Sequence, residues 1–121
     1  MSKPVTIGDL IVLLKNCDED SGVEYDFTYM SPTTVDSWRG VYAEPALGYE
    51  KNGDVKVRDL IKELEHATSG VKYHGWKGGE YSYDKDQELF VANPGETGDC
   101  RIVGIMDAGW KVVLKTGYRP W

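Results

Sequence analysis

Between Thr6 and Leu14 the apolar residues Ile7, Leu10, Ile11 and Leu14 recur at helical spacing, which predicts one amphipathic helix. Thr6 is placed to cap it, with Asp9 three residues on in capping-box position. The turn-forming run Asn16–Gly22 stops it. Alternation then takes over: Val23, Tyr25, Phe27 and Tyr29 fall on one face of a strand, Glu24, Asp26 and Thr28 on the other. Ser31-Pro32-Thr33-Thr34 is expected to break that strand and Pro45 to interrupt the chain again, because proline cannot donate to a ladder. Ala46–Glu50 reads as a short strand leading into an Asn52-Gly53 turn.

Val57, Leu60, Ile61 and Leu64 predict a second helix with the first one's spacing, ended at Ser69-Gly70. Beyond it, Glu80–Tyr83, Glu88–Ala92, Arg101–Met106 and Lys111–Thr116 are rich in β-branched and aromatic residues and read as an antiparallel meander. The predicted class is α+β: two amphipathic helices packed on mostly antiparallel strands, within one compact domain over residues 1–121. The chain also resembles itself. Both helices carry D-L-I, Gly22-Val23-Glu24-Tyr25 matches Gly70-Val71-Lys72-Tyr73, and each match is followed by a Trp, a cation and a Gly. This suggests a duplicated helix–strand unit with sub-repeats 5–54 and 55–121. The competing reading is that any two amphipathic helices preceding strands look this similar.

Charge and cysteine content narrow the chemistry. A formal net charge of −6 argues against direct nucleic-acid binding, which uses lysine and arginine to displace phosphate counterions. It suits docking on a basic surface. Met1–Asp9 has no apolar run and Leu10–Leu14 is far too short to span a bilayer, so no membrane association and a cytoplasmic setting are expected, with Cys17 and Cys100 as free thiols. Pairing of those two thiols is open on sequence alone. His66 and His74 do not share a helix face, and the acidic run from Asp18 departs from a calcium loop, so no metal and no cofactor are expected. No standard catalytic motif is found, and the chain reads more readily as a binding protein than as an enzyme.

The densest aromatic stretch is Val71–Asp84, V-K-Y-H-G-W-K-G-G-E-Y-S-Y-D, with an echo at Asp36–Tyr42, D-S-W-R-G-V-Y. Trp38 and Trp76 offer flat faces and Arg39 and Lys77 positive charge, with Tyr42 and Tyr81 close in sequence. These six residues are the candidate ligand site, suited to a planar anion such as a nucleotide through stacking and charge pairing. The structural alternative is alternation of core and solvent positions along a strand, with glycines that serve only turns.

The segments S-W-R-G-V-Y-A-E-P-A-L-G and G-W-K-G-G-E-Y, followed by L-F-V-A-N-P-G-E-T-G and I-V-G-I, resemble a group of small phage-encoded proteins of uncharacterised function, over most of Val23–Ile105. The resemblance transfers no functional residue. It implies a non-enzymatic phage accessory protein in the host cytoplasm that acts by binding. Two partners are open: a nucleotide-like signal of host defence that it sequesters, or a host protein that it blocks through an acidic and aromatic surface.

Overall fold

Thr6 Oγ1 accepts a hydrogen bond from the Asp9 amide at 3.1 Å, while Asp9 Oδ2 accepts from the Thr6 amide at 3.4 Å. This reciprocal cap starts α1 (Ile7–Lys15), whose Ile7, Leu10, Ile11 and Leu14 are buried. The second helix, α2 (Val57–Ala67), begins with half of the same device, Asp59 Oδ2 accepting from the Lys56 amide at 3.0 Å. It buries Val57, Leu60, Leu64 and Ala67. The structure, a computed structural model, describes residues 4–26, 31–38, 41–50, 55–70, 72–74, 80–91 and 100–118.

Among these, eight strands accompany the two helices: β1 (Gly22–Tyr25), β2 (Ser31–Trp38), β3 (Val41–Glu50), β4 (Tyr73–His74), β5 (Glu80–Tyr81), β6 (Phe90–Val91), β7 (Cys100–Asp107) and β8 (Lys111–Tyr118). Six form one mixed sheet in the order β1-β8-β7-β6-β3-β2, and β4 and β5 form a separate ribbon. β1 also lies alongside β2, so the sheet curls back towards itself. The helices pack on each other, α1 against β7 and α2 against β2. Their apolar faces join Val23, Tyr25, Val35, Leu47, Leu89, Val91, Ile102, Val112 and Leu114 in one core. The α+β class is as expected, with most pairings antiparallel, but β1–β8 and β3–β6 run parallel.

The pairings obey a two-fold correspondence. Each half's first strand runs parallel to the other half's last strand: Glu24 and Tyr25 register with Val113 and Leu114, as Phe90 and Val91 register with Ala46 and Leu47. Both hairpins, β2–β3 and β7–β8, take one extra residue at the same place, between Pro32 and Val35 in one and between Ile102 and Gly104 in the other. The helix starts are capped crosswise. Val57 and Arg58 amides donate to the Ser21 and Glu19 carbonyls at 2.9 and 3.1 Å, and Ile7 and Gly8 amides to Gln87 and Lys85 at 2.8 and 2.9 Å. The two capping turns are built alike, with the Asp20 amide bonded to Asp18 Oδ1 and the Asp86 amide to Asp84 Oδ1, both at 2.9 Å.

Several expectations change in this light. Pro32 and Pro45 lie inside β2 and β3 and do not end strands. Pro45 sits one residue before the β3–β6 pairing, and Pro32 lies in β2, the last strand in the sheet order, which among the described residues pairs with β3 alone. In the other half, Ile102 occupies the place of Pro32 and its amide bonds the Leu89 carbonyl at 3.0 Å, joining β7 to β6. Proline has no such donor, and among the described residues no ladder closes the seam between β1 and β2. The expected meander holds for β6–β7–β8, whereas β5 pairs with β4 instead. The D-L-I helices are structural counterparts, but Gly22–Tyr25 corresponds to Glu88–Val91 and not to Gly70–Tyr73. The acidic run after α1 is exposed and forms the turn that caps α2.

Candidate functional site

Trp38 closes β2, and its register partner Val41 opens β3, so residues 39 and 40 are bracketed by paired strand ends. Tyr73 pairs with Tyr81 and His74 with Glu80, which brackets residues 75–79 in the same way. Of the six candidate residues, Trp38, Tyr42 and Tyr81 therefore belong to strands, with side chains outside the described residues. Arg39, Trp76 and Lys77 lie outside the described residues altogether. The two segments sit on different ribbons and are not counterparts under the two-fold correspondence, since the place of the β2–β3 end is taken in the other half by the β7–β8 tip.

That tip is where the described surface is most unusual. The Ala108 amide bonds the Lys111 carbonyl and the Gly109 amide bonds Asp107 Oδ1, each at 2.9 Å. Gly109 takes φ +89, a conformation glycine adopts without penalty, and the next side chain is thrown outwards. Trp110 is 74% exposed and Met106, facing out from β7, is 50% exposed. Lys111 Nζ lies 4.9 Å from the Trp110 ring centroid and 3.4 Å from Glu24 Oε2. Ser21 Oγ donates to the Gly109 carbonyl at 2.7 Å, which fastens the acidic turn Asp18–Ser21 beside the tip. A signal for this residue is present in the chain: Gly75-Trp76-Lys77 recurs letter for letter as Gly109-Trp110-Lys111, which lacks the glycine after the cation that marks the other two segments.

Next to the tip, a cavity of ≈ 340 Å³ opens where the end of α1 meets the start of α2, lined by Leu14, Lys15, Cys17, Glu19, Arg58 and Ile61. Leu14 and Ile61 form an apolar floor. Lys15 pairs with Glu65 at 3.8 Å and Arg58 is bonded to Asp20. Glu19 gives its backbone carbonyl to the α2 cap, while its carboxylate has no bonded partner among the described residues. Burial pushes the Cys17 thiol above its ordinary pKa, and the neighbouring Asp107 carboxylate raises it further by charge and by hydrogen bonding. A thiol so held is protonated at neutral pH and is a poor nucleophile. Neither Cys17 nor Cys100 forms a disulfide, and Cys100 is buried. Among the described residues no group of acidic, Cys and His side chains could hold a metal ion, and no helix is long and apolar enough to cross a membrane.

No known family model, characterised protein or solved structure matches the chain.

Proposed function

We propose that the chain is a phage accessory protein that acts without catalysis, in the host cytoplasm, by docking on a host protein and blocking it through its acidic and aromatic surface. The observation that carries this reading is Trp110, 74% exposed at a hairpin tip braced by the Asp18–Ser21 turn. An exposed Trp costs solubility and gains nothing for the core. Trp is also among the residues that most often dominate binding energy at protein interfaces. The acidic turn beside it complements a basic partner and speeds encounter.

The test compares immobilised wild-type protein with Trp110→Ala in lysate of a bacterial host. The expected result is a stoichiometric host protein retained by the wild type and lost by the variant, with both melting alike. Identical retention by the two forms sinks the reading.

The nucleotide-sequestering reading is supported by the paired strand ends that flank the two Trp-cation-Gly segments, Trp38 with Val41 and His74 with Glu80. A thermal-shift screen against cyclic and linear nucleotides tests it. A shift that Arg39→Ala and Lys77→Ala abolish supports it, and no shift with any nucleotide removes it.

A further inference from the structure

The two-fold correspondence points to a site because it fails in one place. Gly8 and Arg58 are counterparts at the helix starts, each donating its amide to a capping turn. At Gly8 the turn closes tightly, since a Cβ built there would stand 3.2 Å from both the Lys85 Cβ and the Lys85 carbonyl oxygen. At Arg58 a side chain is present, the cap is longer, and the cavity of ≈ 340 Å³ opens beneath it. That volume lies in the range of pockets that hold a ligand or an anchoring side chain.

The charges around the cavity select its occupant. Arg58 and Lys15 are paired with Asp20 and Glu65. Asp18, Glu19 and Asp107 add further negative charge around the same opening, so the face as a whole is acidic. Glu19 is the lining carboxylate without a bonded partner among the described residues. Leu14 and Ile61 offer an apolar bed for an aliphatic stem. Arginine combines such a stem with a planar cation that binds carboxylate bidentately.

We infer that this cavity receives an arginine side chain from a basic segment of the partner protein, with the stem on Leu14 and Ile61 and the guanidinium on the Glu19 carboxylate. The inference rests on the docking reading above and extends it from the hairpin tip into the groove between the helices. Because Glu19 caps α2 through its backbone, replacing its side chain leaves the fold's own bond in place.

The test is an NMR titration of the whole protein with two small probes, N-acetylarginine amide and N-acetylglutamate. The arginine probe is expected to move the amide signals of Leu14–Glu19 and Arg58–Ile61 saturably. Glu19→Gln, with an otherwise unchanged spectrum, is expected to weaken its apparent Kd about fivefold, the loss for one partly exposed charge pair of ~1 kcal/mol. Absence of saturable shifts overturns the inference, as does a stronger response to the glutamate probe or a Glu19→Gln affinity equal to wild type. Trp110→Ala should leave the probe response intact, so failure of the cavity is read in this titration and failure of the docking reading in the lysate experiment.

Discussion

Tyr25 shows how one side chain can hold two parts of the sheet in place. Its ring is buried in the core, and its hydroxyl reaches the Leu47 and Gly48 carbonyls of β3 at 3.1 and 2.7 Å, although β1 pairs with β8. Tyr25→Phe keeps the ring and removes the donor, so it is expected to cost about 1–2 kcal/mol and lower the Tm by several degrees in a thermal melt. Cys17 tests charge at the same scale. Its thiol is held protonated by burial and by Asp107, so its alkylation by iodoacetamide should be slow at pH 7 and quicken as pH rises through the raised pKa. Removing the charge in Asp107→Asn should move that rise to lower pH, giving faster modification at any fixed pH below it. A pH–rate profile that does not move would show that Asp107 has no influence. These residue roles were partly legible in the chain. The alternation that put Val23 and Tyr25 on one face is present, and Thr6 with Asp9 forms the expected cap. The crossing bond of Tyr25 was not legible, because it depends on which strands are brought together from far apart in sequence.

At the level of elements, the helices were readable because a 3.6-residue apolar period needs no tertiary partner to be recognised. The strands containing Pro32 and Pro45 were not, apart from Ala46–Glu50 at the end of β3, since proline's cost depends on whether its missing donor faces a ladder, and that is a property of the sheet. Pro32 gives this a direct test. Pro32→Val supplies an amide where the counterpart Ile102 donates to Leu89 at 3.0 Å, and the amide is expected to bond the Val23 carbonyl. The new hydrogen bond contributes about 1 kcal/mol, while the freer unfolded chain costs about 0.4–1 kcal/mol, so the melting temperature should change little. Hydrogen exchange is the deciding measurement: protection of the residue-32 amide within about tenfold of that of Ile102 marks a closed seam. Exchange at the rate of an exposed loop means that β1 and β2 are held apart by something other than the proline.

For the molecule as a whole, the halves are interlocked: each supplies the parallel partner of the other's first strand and the cap of the other's helix. The likeness of the chain to itself puts D-L-I in both helices. It misplaced the strand match because the β4–β5 ribbon is extra to the second half and pushes its counterpart strand downstream, to Glu88–Val91. The same insertion drew attention to Trp76, while the hairpin tip equivalent to Trp38–Val41 carries Trp110. The two-fold relation also bears on how the chain is threaded. Residues 51–54 carry it from β3 to Val55, and Tyr118 stands to Val5 much as the end of β3 stands to Val55. Joining Trp121 directly to Met1 leaves more residues for the second crossing than residues 51–54 provide for the first. A circular permutant opened between residues 52 and 53 and fused end to end should therefore keep every strand pairing, with the far-ultraviolet circular dichroism of the parent and a single cooperative melt. The fold then depends on which strands pair and which turns cap the helices, and not on which crossing carries the break.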